Sequence, residues 1–225
     1  MYFTSILLWQ GNWNQMIDKL KHIVIMRNTK ETILFEAFKL FATRTYEQVT
    51  FTDLENCIKL TRGAVMYYFK TKEILFKAVC DKYLLSESSI LKRIEDKVMP
   101  KTTLRELIEL YVKAISEIKI ESANLGIKNM NRALINITNQ ASYYYPNFEI
   151  KANNWQVIQI QLWRKVLASA VKNGEIKSDI DLDVASDLFE DIYCGISYAA
   201  IVYPDGLEIE RLVKTFNFVY NLIKK

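Results

Sequence analysis

Residues 51–69 read Phe51-Thr-Asp-Leu-Glu-Asn-Cys-Ile-Lys-Leu-Thr-Arg-Gly-Ala-Val-Met-Tyr-Tyr-Phe69, and Lys70-Thr-Lys-Glu-Ile-Leu75 follows directly. Phe51, Leu54 and Ile58 recur at the spacing of one helix face and therefore predict a first short helix. Thr50 or Thr52 is placed to cap it, because a hydroxyl accepts from the free N–H groups of a first helical turn. The helix is predicted to end in a tight turn around Leu60.

A second short helix is predicted to begin at Thr61 and to turn Val65 and Phe69 inward. A glycine inside a helix costs about 1 kcal/mol relative to alanine, but it also lets a partner approach the backbone closely. An outward face of small, polar and aromatic residues is typical of a helix that lies in the major groove of DNA. A plain surface helix with a tolerated glycine is the alternative. The outward side carries small, polar and aromatic residues, namely Arg62, Gly63, Met66 and Tyr67.

The upstream segment supplies a third helix, predicted from Thr29 to Thr43. Three helices with a small shared core form a helix-turn-helix unit, whose last helix enters the groove. Residues 58–77 contain five basic residues and one acidic residue, and neutralisation of phosphates supplies most non-specific DNA affinity. The predicted core of the upstream helix consists of two adjacent apolar rows, Ile33, Ala37 and Phe41 beside Leu34 and Phe38.

This region resembles the DNA-binding domain of the TetR family of bacterial transcriptional regulators, over about Arg27 to Val79. The family usually has glycine where Lys59 and Thr45 stand, so Lys59 is expected to adopt either a left-handed or an adjusted turn conformation. It usually has an aromatic residue in place of Met66 and often histidine in place of Tyr68, and these departures bear on the base preference more than on the fold. The resemblance is carried by Thr52-Asp-Leu54, Leu60-Thr-Arg-Gly-Ala-Val-Met-Tyr-Tyr-Phe69 and Lys72-Glu-Ile-Leu75. It implies DNA contacts at Thr52, Thr61, Arg62, Gly63, Tyr67, Tyr68 and Lys72.

Composition predicts an all-α protein. The 225 residues are 50% hydrophobic and include only 6 glycines and 3 prolines, so long helices are expected. We expect an N-terminal three-helix helix-turn-helix DNA-binding domain over residues 27–75 and a C-terminal helical regulatory and dimerisation domain over residues 76–225. Residues 1–26 are either an N-terminal extension or lie upstream of a natural start at Met26.

Several function classes lack the residues they need. His22 is the only histidine and there is no glycine-rich phosphate loop, which argues against an enzyme and against histidine-based zinc sites. No cofactor or metal is expected. Cys57, Cys80 and Cys194 show no metal-ligand spacing, so they are expected to be buried thiols in a reducing, cytoplasmic protein. No stretch of about 20 apolar residues predicts a membrane span.

The C-terminal part shows five further helical patterns. The first is predicted to begin at Thr102 or Thr103. The other four are predicted to cover about residues 122–141, 148–172, 184–203 and 207–222. The segments 148–172 and 183–203 are more apolar than one small monomer needs, so they are predicted to form a four-helix bundle in a homodimer. A dimer would place two recognition helices ~34 Å apart, one turn of double-stranded operator DNA.

The resemblance also implies an apolar pocket for an unknown small-molecule effector within residues 80–225, and hence a ligand-responsive repressor. Two other functions are the alternatives to a transcriptional regulator. One is a helical enzyme using Glu190 and Asp191 with Tyr193, and the other is a dimerisation or membrane-surface adaptor anchored by residues 1–25. For each candidate lining residue, plain core packing or surface solvation is the alternative. The candidates are Tyr111, Met130, Trp155, Trp163 and Tyr193, with Asn129 and Arg132 as polar groups that orient a ligand.

Overall fold

The computed structural model describes residues 29–85 and 90–225. Within these ranges the chain forms helices and no β-strand, with one isolated bridge between Ile176 and Lys224. The predicted all-α class is confirmed. The helices are α1 (residues 29–43), α2 (Phe51–Ile58), α3 (Arg62–Tyr68), α4 (Lys72–Tyr83), α5 (Ile90–Ile94), α6 (Leu104–Asn124), α7 (Met130–Tyr144), α8 (Phe148–Lys172), α9 (Leu182–Ala199) and α10 (Ile209–Ile223), with 3-10 turns at Glu95–Lys97 and Ala200–Val202.

Threonine caps define the starts of α2, α3 and α4. Of the two predicted caps for α2, Thr50 is the one used, and Asp53 returns a hydrogen bond to the Thr50 backbone N–H to complete a capping box. The hydroxyls of Thr61 and Thr71 accept from Ala64 N–H and Ile74 N–H. Because the three caps are local in sequence, the short helices begin where the pattern predicts.

Lys59 ends α2 in the left-handed conformation, the first of the two predicted alternatives, with a φ of 58°. Its backbone N–H donates to the Glu55 carbonyl at 2.9 Å, which closes the last turn. The left-handed region is costly for a residue with a Cβ. The turn between α2 and α3 nevertheless adopts it, with lysine in place of the usual glycine.

The buried apolar residues form two clusters. One joins α1–α4 to α7 and the first turn of α8, so the small core of the helix-turn-helix unit continues into α7 through Ala133, Ile137 and Ala141. The other joins α5, α6, α9 and α10 with the second half of α8. The predicted domain boundary after residue 75 stays a prediction, and α4 and α7 share their apolar contacts with the N-terminal unit.

The helix predicted over residues 122–141 was placed wrongly at its start. α6 continues to Asn124, and α7 begins at Met130 after a loop in which Gly126 has a φ of +84°. Asn129 caps α7 by accepting from Arg132 N–H. A short loop between two helices of similar composition leaves little change in the apolar pattern, so the sequence placed the break too early.

The cysteine prediction was correct for Cys80 and wrong for Cys57 and Cys194. Cys80 is buried in α4, whereas the other two residues are exposed. α2 is only two turns long and directs Leu54 and Ile58 toward the core, which leaves Cys57 at its flank. Cys194 lies on an exposed side of α9. His22 and the predicted N-terminal extension lie outside the described residues.

Two kinds of feature are absent from the described residues. No helix in the part of the chain that the structure describes is both long enough and apolar enough to cross a bilayer. Between residues 29 and 85 and between 90 and 225, no group of three or more His, Cys, Asp or Glu side chains is arranged to hold a metal ion.

Candidate nucleic-acid interface and ligand cavity

α3 divides into a buried side and an exposed side. Val65 and Phe69 are 0% and 2% exposed, whereas Tyr67 is 70% exposed. Arg62 is exposed as well, and a Cβ built on Gly63 would meet no atom within 4 Å. The outward face is therefore open along its length, as the residue pattern predicted.

Local contacts orient the side chains of this face. The Arg62 guanidinium lies 5.9 Å from the centre of the Phe51 ring, and the Tyr67 and Tyr68 rings meet edge to face at 5.2 Å. Tyr68 is half-buried, so it braces the more exposed Tyr67. Thr52, at the start of α2, is exposed. These residues present aromatic, hydroxyl and cationic groups that suit contacts to phosphates and base edges.

Lys72 differs from the other predicted DNA contacts. Its ammonium donates to the Tyr46 carbonyl at 3.0 Å and lies 4.3 Å from the centre of the Tyr46 ring. The side chain is half-buried at the N-terminus of α4. Lys72 therefore ties the loop after α1 to the start of α4, in addition to any role at a phosphate.

Tyr46 is a structural residue that the sequence did not single out. Its ring stacks on Tyr144 of α7 at 4.2 Å and meets Phe76 of α4 edge to face at 5.1 Å. Tyr46 lies in a loop with no apolar period, so no pattern predicted its burial. Through this ring α4 and α7 contact the helix-turn-helix unit at one point.

Two amide side chains of α7 bind the end of α1. Asn136 Nδ2 donates to the Ala42 carbonyl and Gln140 Nε2 to the Phe41 carbonyl, each at 3.0 Å. The last carbonyls of a helix have no partner inside the helix, so these amides satisfy groups that would otherwise need water. Exposed polar residues on a predicted helix are usually solvated, and for that reason the sequence did not identify this bridge.

A cavity of about 290 Å³ lies between the end of α4 and helices α6, α7 and α8. That volume is near the lower limit of about 300 Å³ for small-molecule sites, which are mostly apolar with a few polar groups. Of the predicted ligand-binding residues, Met130, Trp155 and Tyr193 line it.

The other predicted ligand-binding residues are not among those that line this cavity. Tyr111 and Trp163 are 2% and 0% exposed and belong to the second apolar cluster. Asn129 Nδ2 donates to the carbonyls of Ala200 and Tyr203, at 3.0 and 2.7 Å, and Arg132 Nε donates to the Ile201 carbonyl at 2.7 Å. Asn129 and Arg132 are therefore hydrogen-bonded to the turn after α9, and both border a separate cleft beside α1.

A buried carboxylate lies in the second apolar cluster. Glu190 is 1% exposed, and its Oε2 accepts from Tyr111 Oη at 3.2 Å and from Trp163 Nε1 at 3.3 Å. Burial raises the pKa of Glu190 above its ordinary value, and the hydrogen bonds from the two aromatic residues oppose that rise. Burial also raises the pKa of Tyr111.

The geometry of this carboxylate bears on the predicted alternative of an enzyme. Asp191, the proposed partner of Glu190, is exposed, so the two adjacent acids point in different directions. Glu190 is occupied by donors from its own core and is not among the residues lining the cavity. The pair therefore lacks the convergence that general acid–base catalysis requires.

Comparison with known proteins matches the region of the open helix. A family model described as "Bacterial regulatory proteins, tetR family" matches residues 33–79. The uncharacterized HTH-type transcriptional regulator YerO of Bacillus subtilis (strain 168) is 28% identical over 86 residues, which is 37% of this chain and 30% of that protein. The alignment thus spans less than a third of the length of this relative.

Solved structures match over most of the chain. A putative transcriptional regulator from Saccharomonospora viridis in complex with choline superposes with a TM-score of 0.63 at 18% identity, covering 88% of this chain and 99% of that chain. The ketosteroid transcriptional regulator KstR2 of Mycobacterium tuberculosis gives a TM-score of 0.58 at 17% identity, covering 87% and 95%. At these identities the likeness shows a shared fold.

Proposed function

We propose that this chain, a member of the tetR family of bacterial regulatory proteins, is a sequence-specific transcriptional regulator. It binds a double-stranded operator as a homodimer in the bacterial cytoplasm and releases the DNA when a small molecule occupies its cavity. The observation that carries the proposal is the open outward face of α3, with Tyr67 70% exposed beside Gly63. A helix of this composition, held by two neighbours, fits the major groove.

An exposed apolar surface on α8 and α9 supports the homodimer. Val157 and Ile158 of α8 are 43% and 46% exposed, and Leu188 and Tyr198 of α9 are 44% and 65% exposed. Exposed apolar groups on two adjacent helices suit the contact of one copy with another. A second copy would bury these side chains and pair two recognition helices for two half-sites.

The position of the cavity supports control by a ligand. Met130 and Leu134 of α7 line the cavity, while Asn136 and Gln140 of the same helix hold the end of α1. A ligand that binds one arrangement of α7 better than another shifts the population toward that arrangement. We propose that the arrangement favoured by the ligand spaces the two α3 helices unsuitably for the operator.

DNA binding is tested first by recovering bound genomic fragments and then by fluorescence anisotropy with the recovered sequence. Tyr67→Ala is expected to weaken specific binding by roughly 1–3 kcal/mol. Phe218→Ala removes an aromatic ring of similar exposure, 65%, from α10 and is the matched control. The affinity is expected to fall steeply with salt concentration, because phosphate contacts release counterions.

Equal affinities of the Tyr67→Ala and Phe218→Ala proteins would contradict the assigned reading face. The enzyme alternative would gain support only from turnover that Glu190→Gln abolishes. The adaptor alternative would gain support from binding to liposomes that disappears when residues 1–25 are deleted.

A further inference from the structure

We propose that the cavity between α4, α6, α7 and α8 accepts an amphipathic ligand with an apolar body and one anionic head group, such as a medium-chain carboxylate. The inference rests on the proposed function in one respect, namely that this cavity is the effector site. It depends on how the apolar and charged lining residues are distributed.

The larger part of the lining is apolar. Leu84 and Leu85 directly follow α4, Ile115 comes from α6, and Phe148 and Trp155 come from α8. Water forms few hydrogen bonds with these apolar side chains. An apolar ligand chain that displaces the water is favoured, because its own surface is removed from solvent. This part of the cavity selects the body of the ligand by size and apolarity.

The lining also contains two lysines, Lys119 and Lys128, which mark the proposed head-group end of the cavity. Lys119 is half-buried near the end of α6, and its ammonium donates to the Leu207 carbonyl at 2.8 Å. An ammonium has three N–H donors, so this hydrogen bond leaves donors for a ligand. Lys128 also lines this end, and the acidic residue in the lining is the exposed Asp205.

The order of the helices places these groups together. α6 ends at Asn124 and α7 begins at Met130, so Lys119 lies near the end of α6 and Lys128 lies in the loop that joins the two helices. Asn131 Oδ1 accepts from Leu207 N–H at 3.2 Å, which brings the Asn131 side chain to the residue that Lys119 binds. The N-terminus of α7, the positive end of its dipole, lies at this same end.

These features give the ligand one orientation. Two lysines, the start of α7 and the amide of Asn131 surround the head group. A cationic head would be repelled by the Lys119 ammonium, and an uncharged head would leave the positive charge of this half-buried group unneutralised. An anionic head forms charge-assisted hydrogen bonds there, which are stronger than neutral ones. The apolar body then extends toward Leu84 and Trp155.

The test uses three probes with a ten-carbon chain, namely sodium decanoate, decanol and decyltrimethylammonium, each titrated into the DNA-free protein by calorimetry. Decanoate is expected to bind most tightly. Lys119→Met is expected to weaken decanoate binding about tenfold while decanol binding stays unchanged. Lys119→Arg keeps the charge and should retain decanoate binding. Lys113→Met, an exposed lysine of α6, is the matched control and should behave as wild type.

A second variant covers the case in which Lys119→Met does not fold. Lys128 forms no hydrogen bond with the described residues, so Lys128→Met should fold normally and still weaken decanoate binding. Trp155→Phe should remove the change in tryptophan fluorescence that decanoate produces, which locates the ligand.

Three results would overturn the proposal: absence of decanoate binding, decanol or decyltrimethylammonium binding as tightly as decanoate, or equal behaviour of Lys119→Met and Lys113→Met. All titrations omit DNA. Failure here therefore leaves operator binding untouched, and failure of operator binding leaves these titrations interpretable.

Discussion

Gly63 lies at a position of α3 where the fold itself would accept a side chain. A Cβ there would meet nothing within 4 Å, and the residue is not in the left-handed region. Glycine in a helix interior is less favourable than alanine because it loses more backbone entropy on folding. Gly63 therefore does not stabilise the fold. It would instead allow a partner such as DNA to approach the backbone of α3 closely.

Gly63→Ala is thus predicted to separate stability from binding. The free energy of unfolding should rise by about 0.5–1 kcal/mol, measured by urea denaturation. Specific operator affinity should fall by roughly 1–3 kcal/mol, because the added methyl group obstructs the approach of DNA. An alanine protein that is more stable and binds the operator as tightly as wild type would show that α3 does not approach DNA at Gly63.

Glu190 is a residue whose protonation is linked to folding. Its pKa in the folded protein is raised above 4.5, chiefly by burial, so the folded state binds the proton more tightly than the unfolded state does. The free energy of unfolding should therefore fall as pH rises from about 4.5 through the raised value. The ionised carboxylate is the form that burial disfavours.

Glu190→Gln is predicted to remove this pH dependence. The stability of wild type relative to the glutamine protein should decline from pH 4.5 upward, measured by chemical denaturation at a fixed protein concentration. Asp191→Asn changes the exposed neighbouring acid and serves as the control. Parallel pH curves for the wild-type and Glu190→Gln proteins would exclude the linkage.

At the scale of the element, α7 connects two parts of the molecule. Its apolar residues Ala133, Ile137 and Ala141 lie in the cluster of the helix-turn-helix unit. Asn136 and Gln140 satisfy two carbonyls at the end of α1. A single helix thereby borders both the cavity and the DNA-binding unit.

Asn136→Ala combined with Gln140→Ala is predicted to lower the free energy of unfolding by about 1–3 kcal/mol, because a net hydrogen bond contributes about 0.5–1.5 kcal/mol. Hydrogen exchange should accelerate in peptides that cover the end of α1. Asn139→Ala, an exposed amide of the same helix, should change neither quantity. Equal exchange at the end of α1 in the wild-type and doubly substituted proteins would mean that the amides do not hold it.

At the scale of the whole molecule, each apolar cluster has a distinct task. The cluster around α1–α4 and α7 supports the open face of α3, and the cluster around α6, α9 and α10 supports the exposed apolar surface of α8 and α9. The proposed dimer needs both clusters, because two α3 helices must be spaced for two half-sites.

Leu188→Glu is predicted to convert the proposed dimer into a monomer in analytical ultracentrifugation. A carboxylate in an apolar interface is costly to desolvate, and loss of bivalent binding should reduce operator affinity by about 10²-fold. Phe218→Glu places the same charge on the exposed face of α10 and should leave the dimer intact. If both variants sediment alike, the apolar surface of α8 and α9 is not a dimer contact.

The helix-turn-helix unit was predictable from residue order. Thr50, Thr61 and Thr71 cap helices that begin within one residue of them, and the left-handed Lys59 follows from the tight turn. Capping, turn geometry and apolar period depend on residues a few positions apart, so they can be recognised in the amino-acid sequence. For the same reason the open face of α3 was anticipated residue by residue, while the DNA contacts themselves stay a prediction.

The cavity and the bridge through α7 were not predictable in this way. Gln140 donates to a carbonyl 99 positions earlier in the chain, and Asn136 donates to one 94 positions earlier. The sequence around a polar residue on a helix does not indicate so distant a partner. Tyr111 and Trp163 were predicted to line the cavity because large aromatic residues suit both cores and pockets, and here they pack with Glu190 instead. Which of two similar environments an aromatic side chain enters depends on how the helices pack together, and the period of the sequence specifies only that it faces inward.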